Sequence, residues 1–95
     1  MTKKQISKAQ QQLRRLEKQM AEIRPVMRGS VVQIGTRNKQ FYFTLNKDKK
    51  TRLIYLGNKR EPLARKLSAN YKQLIATIEE ITLLNMTLLK NDALE

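Results

Sequence analysis

Apolar residues near the start of the chain recur at alternating steps of three and four: Ile6, Ala9, Leu13, Leu16, Met20 and Ile23. This is the a/d seam of a heptad repeat, held for about three repeats. The intervening positions are polar apart from Ala21, so the stripe is narrow and suits one partner helix rather than burial inside a globule. Thr2 and Gln5 have the spacing of a capping box. Pro25 ends the run, because the residue before a proline is pushed out of the helical region. The pattern predicts a helix over residues 2–24 that rises about 34 Å.

The period then changes to two. Ser30–Ile34, Gln40–Leu45 and Thr51–Leu56 are rich in Val, Ile, Phe, Tyr, Thr and Leu and read as strands of an antiparallel meander spanning 29–57. Turn-forming residues lie between them, in 35–39 and 46–50. Phe41, Phe43 and Leu45 alternate with Tyr42 and Thr44, so the Phe face is the buried one. Two registers of the third strand stay open. A four-residue loop, 47–50, pairs Phe43 with Ile54 and Tyr42 with Tyr55. A five-residue loop pairs Phe43 with Leu53 and Thr44 with Arg52. The single-residue step between them exchanges the faces.

Helical periodicity returns over 62–90, with Pro62 in a first-turn position. Leu67, Tyr71, Leu74, Ile78, Ile81, Asn85 and Leu88 keep heptad spacing, and Leu63, Ala64, Ile75, Leu84 and Leu89 widen the stripe. This helix has more apolar surface than the first can cover, so it needs the sheet or a second copy of itself. Asn85 either fixes register, as a buried polar residue does in coiled coils, or faces solvent while Leu84 and Leu88 pack. The expected architecture is a single α+β domain over 1–95. A long N-terminal helix, a three-stranded meander and a long C-terminal helix follow in order, the helices forming an antiparallel coiled-coil-like pair with the sheet at one end. The terminal Ala93-Leu94-Glu95 resembles a cloning remnant and is set aside.

Charge sharpens this picture. The chain has 95 residues, with 20 Lys and Arg against 8 Asp and Glu, a net charge of +12, and neither Cys nor His. Disulfide scaffolds, Cys/His metal sites, thiol nucleophiles and Ser-His-Asp triads are thereby excluded. No apolar run approaches the ~20 residues of a membrane span, and the polar start lacks a signal-peptide core, so a cytoplasmic protein is expected. The excess charge is concentrated. Residues 25–60 hold nine basic side chains and one acidic, Asp48, whereas residues 61–95 are nearly neutral. A local excess of this kind attracts a polyanion.

Enzyme chemistry finds little support. Glu79 and Glu80 are neighbours that point about 100° apart on a helix and do not face one another as an acid–base pair. Phosphate-binding glycine loops are missing, and 46–48 lacks the rest of a calcium loop. No cofactor or metal is expected. The meander is the candidate site. Arg28, Arg37, Lys39, Lys47, Lys49, Lys50, Arg52, Lys59 and Arg60 supply cations for phosphates, while Asn38, Gln40, Tyr42, Thr44 and Arg52 are of the type that reads base edges. A twisted antiparallel sheet can enter the major groove with such residues on its free face. Single-strand binding is less favoured, since only Tyr42 and Tyr55 offer stacking platforms.

The run from Arg28-Gly29-Ser30-Val31-Val32, through Phe41-Tyr42-Phe43-Thr44-Leu45 and Lys50-Thr51-Arg52-Leu53-Ile54-Tyr55-Leu56, to Asn70-Tyr71 and Glu80-Ile81-Thr82-Leu83-Leu84-Asn85 resembles a family of small bacterial and archaeal proteins, classed as a domain of unknown function and often met beside transposase genes. The likeness covers roughly 27–90. Many members carry a cysteine cluster in the first strand-to-strand loop. This chain has Gly35-Thr36-Arg37-Asn38-Lys39 there, so metal binding does not carry over. The central 30 or so residues also look like the three-stranded arm-binding domains of tyrosine recombinases, which bind DNA through the sheet, an analogy of fold. Residues and resemblance together lead to the expectation of a non-enzymatic DNA-binding protein of mobile-element or phage type. RNA is a second candidate ligand and a recombinase or transposase a candidate partner, with homodimerisation through the helices. The alternative is a coiled-coil interaction module whose charge serves solubility or steering.

Overall fold

The computed structural model describes residues 1–94. Glu95, within the terminal segment set aside above, lies outside the described residues. The elements run α1 (Lys3–Glu22), β1 (Ser30–Ile34), β2 (Gln40–Lys47), β3 (Lys50–Tyr55) and α2 (Gly57–Lys90), an α+β architecture as expected. The chain forms two compact units. Among the described residues, one is Met1–Ile23 with 73–94, and the other is Arg24–Lys72.

In the first unit α1 packs antiparallel on the later half of α2. Thr2 and Gln5 form the expected capping box: the Gln5 amide donates to Thr2 Oγ1 at 3.2 Å and the Thr2 amide to Gln5 Oε1 at 2.9 Å. Ala9 and Leu16 are buried on one helix and Leu88 is fully buried on the other. The Gln10 amide nitrogen donates to the Ala93 carbonyl at 3.3 Å, which ties α1 to the segment after α2. The expected α2 seam needs two corrections. Leu67 and Tyr71 fall in the other unit, because this one helix serves both. Ile78 is exposed, and Thr77, one residue earlier, is buried in its place. Burial of Thr77 is tolerated because its hydroxyl donates to the Gln73 carbonyl at 2.9 Å within the same helix.

The second unit holds the sheet, in strand order β1-β2-β3, all antiparallel. The observed register is the shorter-loop alternative, with Tyr42 opposite Tyr55 and Phe43 opposite Ile54. Its cause is the turn. Lys47 pairs with Lys50, leaving Asp48 and Lys49 to turn the chain at φ 54° and 61°. Two consecutive left-handed residues match the right-handed twist of the flanking strands, which is why two-residue hairpins use them. The strands therefore run closer to the turn than the residue pattern predicts.

Phe43, Leu56 and Ala64 form the buried cluster, with Met27, Val31 and Phe41 against it. The first turns of α2 lie on the β1–β2 side of the sheet. Helix α2 begins at Gly57, five residues ahead of the expected start at Pro62. The Leu56 carbonyl accepts from the Arg60 amide at 3.3 Å, so the first turn grows directly out of β3. Pro62 is the sixth residue of this helix, so its missing N–H leaves the Asn58 carbonyl without an intrahelical donor from that position. The 25–29 segment is laced to the same helix. The Met27 amide donates to the Leu67 carbonyl at 3.2 Å, Asn70 Nδ2 to the Pro25 carbonyl at 2.9 Å, and Ser68 Oγ to the Gly29 carbonyl at 2.9 Å. Gly29 has φ 143°, and a Cβ there would lie 2.5 Å from the Thr44 carbonyl oxygen and 2.6 Å from the Phe43 ring, so a side chain is excluded.

Candidate nucleic-acid interface

Alternation along the strands sorts the meander into two faces. Val31, Phe41, Phe43, Leu45, Ile54 and Arg52 share one face, with Lys47 and Lys50 at its turn end. Helix α2 covers the Phe43 part of it, while Ile54 and Arg52 on β3 stay exposed. Val32, Ile34, Gln40, Tyr42, Thr44, Asn46, Leu53 and Tyr55 share the opposite, open face. Thr44 and Arg52 were expected on one face under the longer-loop register. They are on opposite faces, because Arg52 pairs with Leu45.

The open face is uncharged and internally ordered. The Tyr42 and Tyr55 rings meet edge to face, with centroids 5.5 Å apart and planes inclined by 70°. Tyr55 Oη donates to Gln40 Oε1 at 3.1 Å, and Thr51 Oγ1 donates to Asn46 Oδ1 at 2.7 Å. Both amide carbonyls thus accept a bond from within the sheet. Their NH₂ groups remain as donors suited to base-edge acceptors such as guanine O6 and N7 or thymine O4.

The cations gather at the two ends of the strand ladder, those of the hairpin end on the Phe43 side of it. At the hairpin end, Lys47 and Lys50 form the closing pair, Lys49 occupies the turn and Arg52 follows on β3. Arg28 joins them, its Nη1 donating to the Asn46 carbonyl at 3.3 Å. At the other end the β1–β2 loop carries Arg37, Asn38 and Lys39, all exposed. Arg60 is held there by a bond from Nη1 to the Tyr55 carbonyl at 3.2 Å, and Lys59 adjoins it. Among the described residues, no basic side chain of 25–60 is in an ion pair, and Arg65 pairs with Glu61.

Two further cations escaped the residue pattern. Arg65 and Lys72 line an open groove of about 380 Å³ with Ser30, Val31, Ser68 and Ala69, between β1 and α2. Arg65 also lies over the Phe41 ring, 5.6 Å from its centroid. Their seven-residue spacing, with Ser68 between them, was the available signal, masked by the near-neutral charge of 61–95. No helix among the described residues is long and apolar enough to cross a membrane. Comparison with family models, curated proteins and solved structures finds no match to this chain.

Proposed function

We propose that this chain is a small, non-enzymatic DNA-binding protein whose sheet lies against the double helix. The two cationic ends hold phosphates, and Gln40, Tyr42, Thr44 and Asn46 meet base edges between them. The observation that carries the reading is the distribution of charge: two unpaired cationic groups at opposite ends of one strand ladder, with an uncharged, hydrogen-bond-ordered face between. The eight residues of β2 span about 25 Å, enough for the ends to reach backbone on both sides of a groove about 12 Å wide. Phosphate contacts then set position and salt dependence, and the open face sets sequence preference.

The resemblance to proteins met beside transposase genes adds a setting: an accessory or regulatory protein of a mobile element or phage, acting in the cytoplasm, with a recombinase or transposase as its partner. RNA is the competing polyanion, and the same titration with duplex RNA ranks the two. If about five cations contact phosphate, log K falls with log salt at a slope near −4 to −5. Fluorescence polarisation with duplex DNA at several salt concentrations measures it. A flat response, or no binding at low salt, rejects the proposal and favours the helix-mediated interaction module.

A further inference from the structure

Part of the expected dimer seam is used up within the chain: Leu88 is buried, and Ile81 and Asn85 line the groove between the helices with Leu13 and Met20. A second apolar stripe on the later half of α2 is left uncovered. Ile75, Ile78, Leu83, Met86 and Leu89 are 40%, 38%, 64%, 61% and 64% exposed. At 100° per residue the stripe lies roughly 120° around the helix from the face that α1 covers.

The spacing of the stripe is symmetric. Ile75 and Ile78 stand seven and four residues before Thr82, and Met86 and Leu89 stand four and seven after it. A helix with this pattern is complementary to itself when a second copy lies antiparallel across a two-fold axis at Thr82. Ile75 then meets Leu89 of the second copy, Ile78 meets Met86, and the two Thr82 side chains lie at the axis, with Leu83 on the flank of the contact about 100° round the helix. We infer that this face is the interface of an antiparallel homodimer centred on Thr82.

Two observations support a second copy as the occupant. The first is area. At about 200 Å² for a large side chain in full exposure, Ile75, Ile78, Met86 and Leu89 present roughly 400 Å² per copy, and with Thr82 and the near half of the Leu83 flank a pair buries about 1,000 Å², the lower bound for a specific interface. The second is the chemistry at the axis. The Thr82 hydroxyl donates to the Ile78 carbonyl at 2.8 Å, so its polar group is already satisfied when the centre of the stripe is covered. The central positions 75, 78, 82, 86 and 89 carry no charge.

The absence of cysteine gives a direct test. Single variants Thr82→Cys and Ile75→Cys, and the double variant Ile75→Cys/Leu89→Cys, are made in the full chain and oxidised without nucleic acid. The two-fold arrangement cross-links Thr82→Cys and the double variant, and leaves Ile75→Cys unlinked. Sedimentation of the unmodified chain gives twice the monomer mass at tens of micromolar. Ile78→Glu/Met86→Glu restores the monomer mass with an unchanged helical circular dichroism spectrum, whereas Leu63→Glu, an exposed leucine outside the stripe, leaves the dimer intact. A monomer at all concentrations up to about 100 μM, a regime equivalent to some 5–6 kcal/mol of association, overturns the inference. So does cross-linking of Ile75→Cys equal to that of Thr82→Cys, which marks a parallel or unspecific pairing. None of these measurements depends on DNA binding.

Discussion

Arg52 stands opposite Leu45 in the β2–β3 ladder, which puts its guanidinium on the face of Phe43 and leaves Tyr42 and Thr44 on the other. A role for Arg52 in reading the same bases as Tyr42 is thereby removed. It belongs with the hairpin cations, beside Lys50 on the same strand.

Arg52→Ala is therefore expected to weaken duplex binding by a similar factor on every sequence and to reduce the salt slope by about one, as a phosphate contact does. Thr44→Ala or Tyr42→Ala is expected to leave the salt slope alone and to relax sequence preference, each lost base contact being worth about 1–3 kcal/mol. Polarisation titrations on a panel of duplexes at several salt concentrations separate the two behaviours. An Arg52→Ala effect confined to some sequences would contradict the assignment.

The hairpin turn predicts a stabilising substitution. Lys49 is held at φ 61° without the freedom of glycine. Lys49→Gly should raise stability by about 1 kcal/mol, since the left-handed conformation costs an L-residue about that much. The same substitution removes a cation, so the melting temperature should rise while the salt slope falls. Thermal melts followed by circular dichroism, alongside binding titrations, show whether both changes occur together.

Asn85 offers the opposite kind of test. It sits beside an open groove of about 560 Å³ lined also by Leu13, Met20, Ile81 and Leu88, and its Oδ1 is buried without a hydrogen-bond partner among the described residues. An unsatisfied buried acceptor costs about 1–3 kcal/mol, so Asn85→Leu should raise stability by an amount in that range. Urea denaturation of the two forms measures it. A destabilised variant would mean that the amide has a structural duty in the helix pair.

The seam of α1 was legible because six residues keep strict spacing and Thr2 and Gln5 sit at capping-box distance from the helix start. The strands were legible for the same reason, being dense in β-branched and aromatic residues. Strand register was not, because 47–50 is too polar to show whether Lys47 and Lys50 belong to ladder or loop; the backbone angles of Asp48 and Lys49 decide it. The start of α2 was hidden by Pro62, a conventional first-turn residue that here lies further in. Ile78 was misassigned to the seam because its hydrophobicity outweighs that of Thr77, and only the bond from Thr77 to Gln73 makes the smaller residue acceptable inside. In the site, Arg65 and Lys72 were invisible because their groove is made by β1, more than 30 residues away in the chain.

The three bonds that stitch 25–29 to residues 67–70 of α2 tie the strand at one margin of the sheet to a helix that grows from the strand at the other. The sheet is thus enclosed in a closed circuit of backbone and hydrogen bonds. Neither margin can peel off by itself; β1 leaves only if the helix lets go, and the helix is anchored through Leu56 to β3. For so thin a sheet, that circuit turns local fraying into an all-or-nothing event.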